Sequence, residues 1–510
     1  MFRRIYMTGV LLVPGLFGSG VCSWGETPNI VFILADDMGY GDVQALNADG
    51  KIPTPHIDSL LRNGMSFTDA HSNSAVCTPT RYGLLTGRYN WRTRLEKGVL
   101  WGYSRHLVGV NRATVGGFLA KQGYSTACVG KWHLGMDWSL NGGGLADTGA
   151  DGWTIDYEKP IANGPTVRGF DYFFGISASL DMYPYVYIEN DRVAGVPTVE
   201  KAFFRLGPAH EDFEAVDVLP ILTGKATAYI DEQSKSEKPF FLYFPLTAPH
   251  TPIEPTADWD GKSGMNGYAD FVMQVDDTVG QVIAALKRNG VMENTLLIFT
   301  SDNGCSPEAN FRELAGHGHD PSYVFRGHKA DIFEGGHRVP FVAQWPGRIE
   351  KNSTNGRPIC LSDLMATAAE IVGEALPDDS GVDSVSFLPL LLGEKSAVGR
   401  EATVHHSING AFAITKGKWK LALCPGSGGW SDPSAGRVDM SGMPAVQLYD
   451  LEKDIGETEN LAEKHPGIVK ELTELLQSYV DRGRSTPGPD QANDREIDIY
   501  KAGRIAHQPK

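Results

Sequence analysis

Residues 29–37 read NIVFILADD, with five large apolar side chains in succession running directly into two aspartates. A run this short and this apolar fits a strand buried on both faces, and such strands belong to parallel sheets covered by helices. Three further runs have the same form: 125–129 (STACV), 240–246 (FFLYFPL) and 295–300 (TLLIFT). Helical patterns lie between them. One covers His56 to Asn63 and stops at Gly64. Another covers Tyr268 to Arg288 and carries Val272, Val275, Val279, Val282, Ile283 and Leu286 at mostly three- and four-residue steps before Asn289-Gly290. This alternation predicts an α/β fold, with a mostly parallel central sheet flanked by helices.

The four runs end in polar chemistry. The first leads into Asp36-Asp37, the second into Lys131 and His133, the third into His250 and the fourth into Asp302-Asn303. Ligands of open α/β sheets sit outside the carboxyl ends of the strands. A polar residue closing one strand is commonplace, but four coincident endings in carboxylate, amide, lysine and histidine point to one shared site. Two long loops, 141–169 and 305–327, are expected to form substrate-facing walls. The second contains Gly316-His317-Gly318-His319, whose histidines read better as solvated loop residues than as metal ligands.

From about residue 383 to 393 the pattern changes. Strand-like runs at 411–415 and 419–423, the segment Gln447 to Asp450, and a helix from Pro466 to about Tyr479 predict a smaller α+β C-terminal subdomain with a small antiparallel sheet. The resulting organisation is residues 1–24 as a signal peptide, 25–395 as the main α/β domain carrying the strand-end site and 396–510 as the C-terminal subdomain. The signal-peptide reading rests on Arg3 and Arg4 ahead of the apolar stretch from Val10 to Phe17, followed by small residues up to Ser23. It predicts an exported protein, periplasmic or secreted. No segment reaches the roughly 20 apolar residues that span a bilayer, so no transmembrane segment is expected. Cys22 would permit a lipid anchor, but Val21 precedes it where a small residue is usual.

The chain has 510 residues, 46 basic and 62 acidic, for a formal charge of −16, which argues against a nucleic-acid partner. With 41% hydrophobic and 21% charged residues the composition is globular. The six cysteines, at 22, 77, 128, 305, 360 and 424, form no disulfide scaffold. With Cys22 in the signal segment and Cys77 functional, the other four allow three pairings, which the sequence does not rank.

Residues 77–88, CTPTRYGLLTGR, place Cys77 at the start of a helix, with Pro79 in its first turn and Arg81 four residues on along the same face. The free N–H groups of a helix N-terminus suit an anion beside Cys77, although from this segment alone a buried structural cysteine is the better reading. The segment resembles the signature of the type I sulfatases, the formylglycine-dependent members of the alkaline phosphatase superfamily. ADDMGYGD (35–42), GKWHLG (130–135), APHTP (248–252), SDNG (301–304), RGHKADIFEGGHRVPF (326–341) and LYDLEKDIGETENLAE (448–463) are similar to successive blocks of that family, in order.

The resemblance implies an alkaline-phosphatase-like fold and sulfuric ester hydrolysis. Cys77 would be oxidised to Cα-formylglycine, whose hydrate supplies the attacking hydroxyl, by a sulfatase-maturation enzyme that reads the CxPxR segment. One Ca²⁺ would be held by Asp36, Asp37, Asp302 and Asn303 with residue 77, and hard oxygen donors suit that ion independently. Arg81 would hold the hydrated aldehyde, and Lys131 and Lys329 would grip the sulfate oxygens. His250 would protonate the leaving oxygen, and His133 would take a proton from the second hydroxyl of residue 77. These cations and the metal must create a local positive field within an acidic protein.

The blocks CTPTRYGLLTGRYNWRTR and SLDMYPYVYIEND are most similar to carbohydrate sulfatases acting on 6-sulfated galactose or N-acetylgalactosamine. A sulfated oligo- or polysaccharide is therefore the expected substrate. Asp181 is expected to accept hydrogen bonds from sugar hydroxyls, with Tyr183 or Tyr185 stacking on the ring. His337 stands where an aliphatic residue is expected in EGGxRVP, and reads as a substrate contact or a packed histidine. The rival readings are a phosphate or phosphonate ester hydrolase of the same superfamily, whose dinuclear members need further His and Asp ligands, and a non-catalytic binder of sulfated glycans.

Overall fold

A computed structural model describes residues 27–394 and 396–500. The expected signal peptide, with Cys22, lies outside them. The strand Asn29–Ala35 sits at the centre of a ten-stranded sheet. It pairs in parallel with Phe240–Pro245 on one side and Thr295–Ser301 on the other. Phe240–Pro245 continues in parallel to Ser125–Lys131, and that strand to Tyr172–Ile176. Antiparallel pairs flank this centre, with Phe341–Gln344 beside Thr295–Ser301 and Ile188–Glu189 beside Tyr172–Ile176, and the edge beyond Phe341–Gln344 ends in the parallel pair Met65–Phe67 and Ser353–Asn355.

Alternation along Asn29–Ala35 explains why its run is apolar throughout. Ile30, Phe32 and Leu34 enter one core, Val31, Ile33 and Ala35 the other, and all six are fully buried. The second core is covered by the helices Ala215–Gln233 and Gly267–Arg288, whose Val272, Val275, Val279, Val282 and Leu286 form the stripe expected from their spacing. The first core is covered by Cys77–Thr86, Val115–Lys121 and Leu364–Val372. Because five neighbouring strands run parallel, with Ala35 level with Ser301 and Leu34 with Pro245, their carboxyl ends lie on one edge.

The C-terminal sheet is antiparallel and four-stranded: Thr403–His406, Phe412–Lys416, Trp419–Ala422 and Gln447–Asp450. The helix Pro466–Asp481 packs on it through Leu472, Leu476, Tyr479 and Val480, in a core that also takes in Tyr89 and Trp91. A buried ion pair fastens this region to the segment after the Cys77 helix. Arg92 donates from Nε and Nη2 to the two carboxylate oxygens of Asp383, both at 2.8 Å, and from Nη1 to the carbonyl of Tyr479 at 2.9 Å. Asp383 also accepts the N–H groups of Tyr89 and Ser485. Arg92→Ala would leave that carboxylate buried without its cation, a loss of about 3–5 kcal/mol. Urea unfolding at neutral pH should show it, and a midpoint equal to wild type would contradict the assignment.

The cysteines depart from one expectation. Cys77, Cys128, Cys305, Cys360 and Cys424 are all free and buried, so none of the three pairings forms. Cys128, Cys305, Cys360 and Cys424 sit in the packed interior as small hydrophobes. No helix among the described residues is long and apolar enough to cross a membrane.

Candidate active site

The four strand ends do converge. Past Ala35 the ladder continues for one more bond on each side. Asp36 N–H donates to the Ala248 carbonyl at 3.0 Å, and Asp302 N–H to the Ala35 carbonyl at 3.1 Å. Asp37 takes a left-handed backbone conformation, with φ 66°, and donates its N–H to Asp302 Oδ1 at 3.2 Å. His133 is left-handed as well, with φ 54°. Such conformations in bulky residues persist only where surrounding contacts impose them. Cys77 is the first residue of a helix buried along its whole length, and is itself 2% exposed. Its sulfur lies within 4.8 Å of ligand atoms of Asp36, Asp37 and His250.

Three carboxylates face three cations here. Lys131 Nζ lies 2.6 Å from Asp36 Oδ2, and Lys329 Nζ 2.6 Å from Asp37 Oδ2. Arg81 donates to Asp302 Oδ2 from Nε at 3.0 Å and Nη2 at 2.7 Å. Burial alone would raise the Asp36 carboxyl, but Lys131, then His250, Arg81 and Lys329, hold it far below the usual carboxylate range. Burial pushes the Cys77 thiol up to about 12 against the pull of the two lysines, so the unmodified residue is a protonated thiol at neutral pH. Two oxygens in this group are buried without a hydrogen-bond partner, Asp36 Oδ1 and Asn303 Oδ1. The Asn303 amide is oriented by donating to Asp37 Oδ1 at 2.7 Å and to the Gly304 carbonyl at 2.9 Å. Orphaned hard oxygens beside further carboxylates are the donor set that suits a calcium ion.

The two histidines differ in state. His133 Nε2 lies 2.7 Å from the Leu100 carbonyl, which can only accept, so the proton sits on Nε2 and the buried Nδ1 keeps a bare lone pair. Burial first, then Lys131 and Arg81, pull its pKa well below the ordinary value and keep it neutral. His250 Nδ1 donates to the Thr251 carbonyl at 2.7 Å, and its Nε2 lies 3.5 Å from Asp37 Oδ2. Cys77, His133, His250 and Lys329 line a cavity of about 460 Å³, and Asp181 forms part of its wall.

Asp181 is 6% exposed and ion-paired to Arg205, and its Oδ1 is buried without a partner. His250 and Arg205 hold this carboxyl below the usual range against the opposing effect of burial. The sequence reading missed Ser179 and Arg205. Ser179 Oγ lies 3.2 Å from Lys131 Nζ and 3.3 Å from His250. Its signal was present, because YFFGI at 172–176 is a fifth apolar run whose carboxyl end leads to Ser179. Arg205 lies on a solvent-facing hairpin, where nothing local marks it.

Three expectations are corrected. His337 does not line the cavity. It is fully buried, stacked on His405 with ring centroids 3.7 Å apart, and its Nδ1 is 3.0 Å from His71 Nδ1. Neither Tyr183 nor Tyr185 lines the cavity. Tyr183 packs beneath Gly207 and against Tyr103, and Tyr185 is buried with its hydroxyl donating to the Arg205 carbonyl. His319 is not solvated: its Nδ1 accepts the Lys51 N–H, and its Nε2 donates to Asp42 Oδ1 at 2.9 Å. His317 is exposed as expected.

Comparison with known proteins agrees with this geometry. The family model described as Sulfatase matches residues 28–374. An N-acetylgalactosamine-6-O-sulfatase of Bacteroides thetaiotaomicron is 34% identical over 503 residues, covering 90% of this chain and 94% of that protein. Human arylsulfatase A is 30% identical over 88% of this chain and 86% of its own length. A solved structure from work on the metabolism of multiple glycosaminoglycans by Bacteroides thetaiotaomicron superposes with a TM-score of 0.76 at 32% identity, covering 89% of this chain and 99% of that one. With strand-end carboxylates, buried cations and Cys77 gathered on one floor, and with relatives of this identity along nearly the whole chain, the protein belongs to the sulfatase family and is a sulfuric ester hydrolase.

Proposed function

We propose that the protein removes sulfate from O6 of galactose or N-acetylgalactosamine in a sulfated oligo- or polysaccharide, using Cα-formylglycine formed from Cys77. The observation that carries this reading is a pair of histidines lining the same cavity as residue 77, one with a bare Nδ1 and one with Nε2 facing Asp37 of the carboxylate cluster. The substrate class is supported by the likeness to the N-acetylgalactosamine-6-O-sulfatase. Asp36, Asp37, Asp302 and Asn303, with residue 77, would hold one Ca²⁺, and that ion with the hydrated aldehyde would supply positive charge and a hydroxyl nucleophile.

The chain's own residues do the rest. Lys131 and Lys329, now on Asp36 and Asp37, turn their ammonium groups to the oxygens of the ester. Arg81, fixed on Asp302 and on the Lys131 carbonyl, orients residue 77. His250 delivers a proton from Nε2 to the departing sugar oxygen, and His133 Nδ1 accepts one from the second hydroxyl of residue 77. Asp181 Oδ1 accepts a hydroxyl of the sulfated ring. Export directed by residues 1–24, and recognition of Cys77 to Arg81 by a sulfatase-maturation enzyme, belong to the same proposal.

The test compares a 6-sulfated N-acetylgalactosaminide with its 4-sulfated isomer. The 6-sulfate should be turned over with a kcat/KM at least about tenfold higher, because an ester displaced around the ring no longer meets the nucleophile while the hydroxyls meet Asp181. Preference for the 4-sulfate would overturn the O6 assignment.

A further inference from the structure

Above the catalytic floor, the cavity wall is completed by a short hairpin, Val199–Phe203 and Arg205–Ala209, joined through the single residue Phe204. Phe204 has a backbone φ of 86°, a left-handed conformation that a bulky side chain rarely takes, and the residue is 63% exposed. Stability alone gives no reason to place an aromatic ring there. Trp101 lies on the same wall and is 40% exposed. Between the two rings stands Arg205, its guanidinium 5.0 Å from each ring centroid. It is tied below to Asp181 through Nη1.

The assembly is fixed from beneath. The Arg205 carbonyl accepts the Tyr185 hydroxyl. Gly207 lies so close to Tyr183 that a Cβ there would come within 2.3–2.5 Å of its side-chain atoms. The hairpin therefore presents Phe204 and Arg205, and a separate segment presents Trp101, to a cavity shared with Cys77, His133 and His250.

We propose that Trp101, Phe204 and Arg205 form a second sugar subsite, which takes the glycan unit joined to the sulfated one. Exposed aromatic faces stack on the apolar faces of a pyranose ring, and the guanidinium donates to its hydroxyl or carboxylate oxygens. The occupant is a further unit of the same chain because the aromatic faces are continuous with the wall that carries Asp181. This inference rests on the carbohydrate reading of the catalytic site, and makes the enzyme one that recognises at least a disaccharide.

The experiment measures kcat/KM for a 6-sulfated monosaccharide and for the same unit extended by one sugar, on wild type and on Phe204→Gly. Glycine suits the left-handed position, so the variant is expected to fold with a Tm no lower than wild type. Trp101→Ala, checked by the same unfolding assay, provides a second readout on the opposite face. In wild type the extended substrate should be favoured by about tenfold or more, mainly through KM, and either variant should lower that preference by about tenfold. Equal kcat/KM values in wild type, or a preference unchanged in both folded variants, would overturn the second subsite while leaving the sulfatase assignment standing. Turnover of an aryl sulfate but of neither sugar would overturn the carbohydrate reading itself, and the subsite with it.

Discussion

Cys77→Ala protein, produced with maturation activity present, should fold like wild type and release sulfate at a rate lower by on the order of 10⁴-fold or more. The expectation follows from position as well as chemistry. Residue 77 sits at the head of a helix whose packing depends on Tyr82, Leu84 and Leu85, so removing one sulfur leaves the helix and its core contacts in place. What is lost is the only group at the centre of the site that can become a nucleophile once its thiol is oxidised. The thiol itself, raised to about 12 by burial, would be a poor one. Mass spectrometry of the wild-type peptide containing residue 77 should show conversion of the thiol to the aldehyde. An active variant, or a fully active wild type that keeps its thiol, would refute the formylglycine chemistry.

His250→Gln should separate two kinds of substrate. A sugar oxygen leaves poorly without a proton, so sulfate release from a 6-sulfated galactosaminide should fall by about 10²- to 10⁴-fold. An activated aryl sulfate departs as a stable phenolate, and its hydrolysis should fall by less than about tenfold. The asymmetry is the informative readout, because loss of a structural contact would slow both alike. His250 Nδ1 is committed to the Thr251 carbonyl, which leaves only Nε2 for the reaction, and glutamine cannot replace its proton transfer. Equal losses on the two substrates would move the general acid elsewhere.

Much of the sheet was legible because its strands are buried on both faces. Asn29–Ala35 and Thr295–Ser301 read as uninterrupted apolar runs, and the long helix after Asn266 as a regular stripe. The flanking strands were not legible. Met65–Phe67, Ile188–Glu189 and Arg192–Val193 are two or three residues long, too short for any period to register. Tyr172–Ile176 is the instructive omission, since recognising it would have brought Ser179 to the site. For the catalytic floor, the strand-end argument brought Asp36, Asp37, Lys131, His133, His250, Asp302 and Asn303 to one edge. Cys77, Arg81 and Lys329 needed the family resemblance to join them.

The sequence by itself determined the mostly parallel character of the sheet's centre and the edge on which Asp36, Asp37, Lys131, His133, His250, Asp302 and Asn303 gather, because both depend on local apolar runs and on what immediately follows them. Only the tertiary structure decided where the remaining polar groups go. His337 looked equally suited to substrate or to packing, and its stacking on His405 from the C-terminal sheet placed it in the interior. Tyr183 became a prop under Gly207, the cysteines remained unpaired, and Asp181 acquired its cation from Arg205, 24 positions away on a hairpin. Those outcomes depend on side-chain direction and on contacts between segments distant in the chain, and neither leaves a periodic trace in the order of the residues.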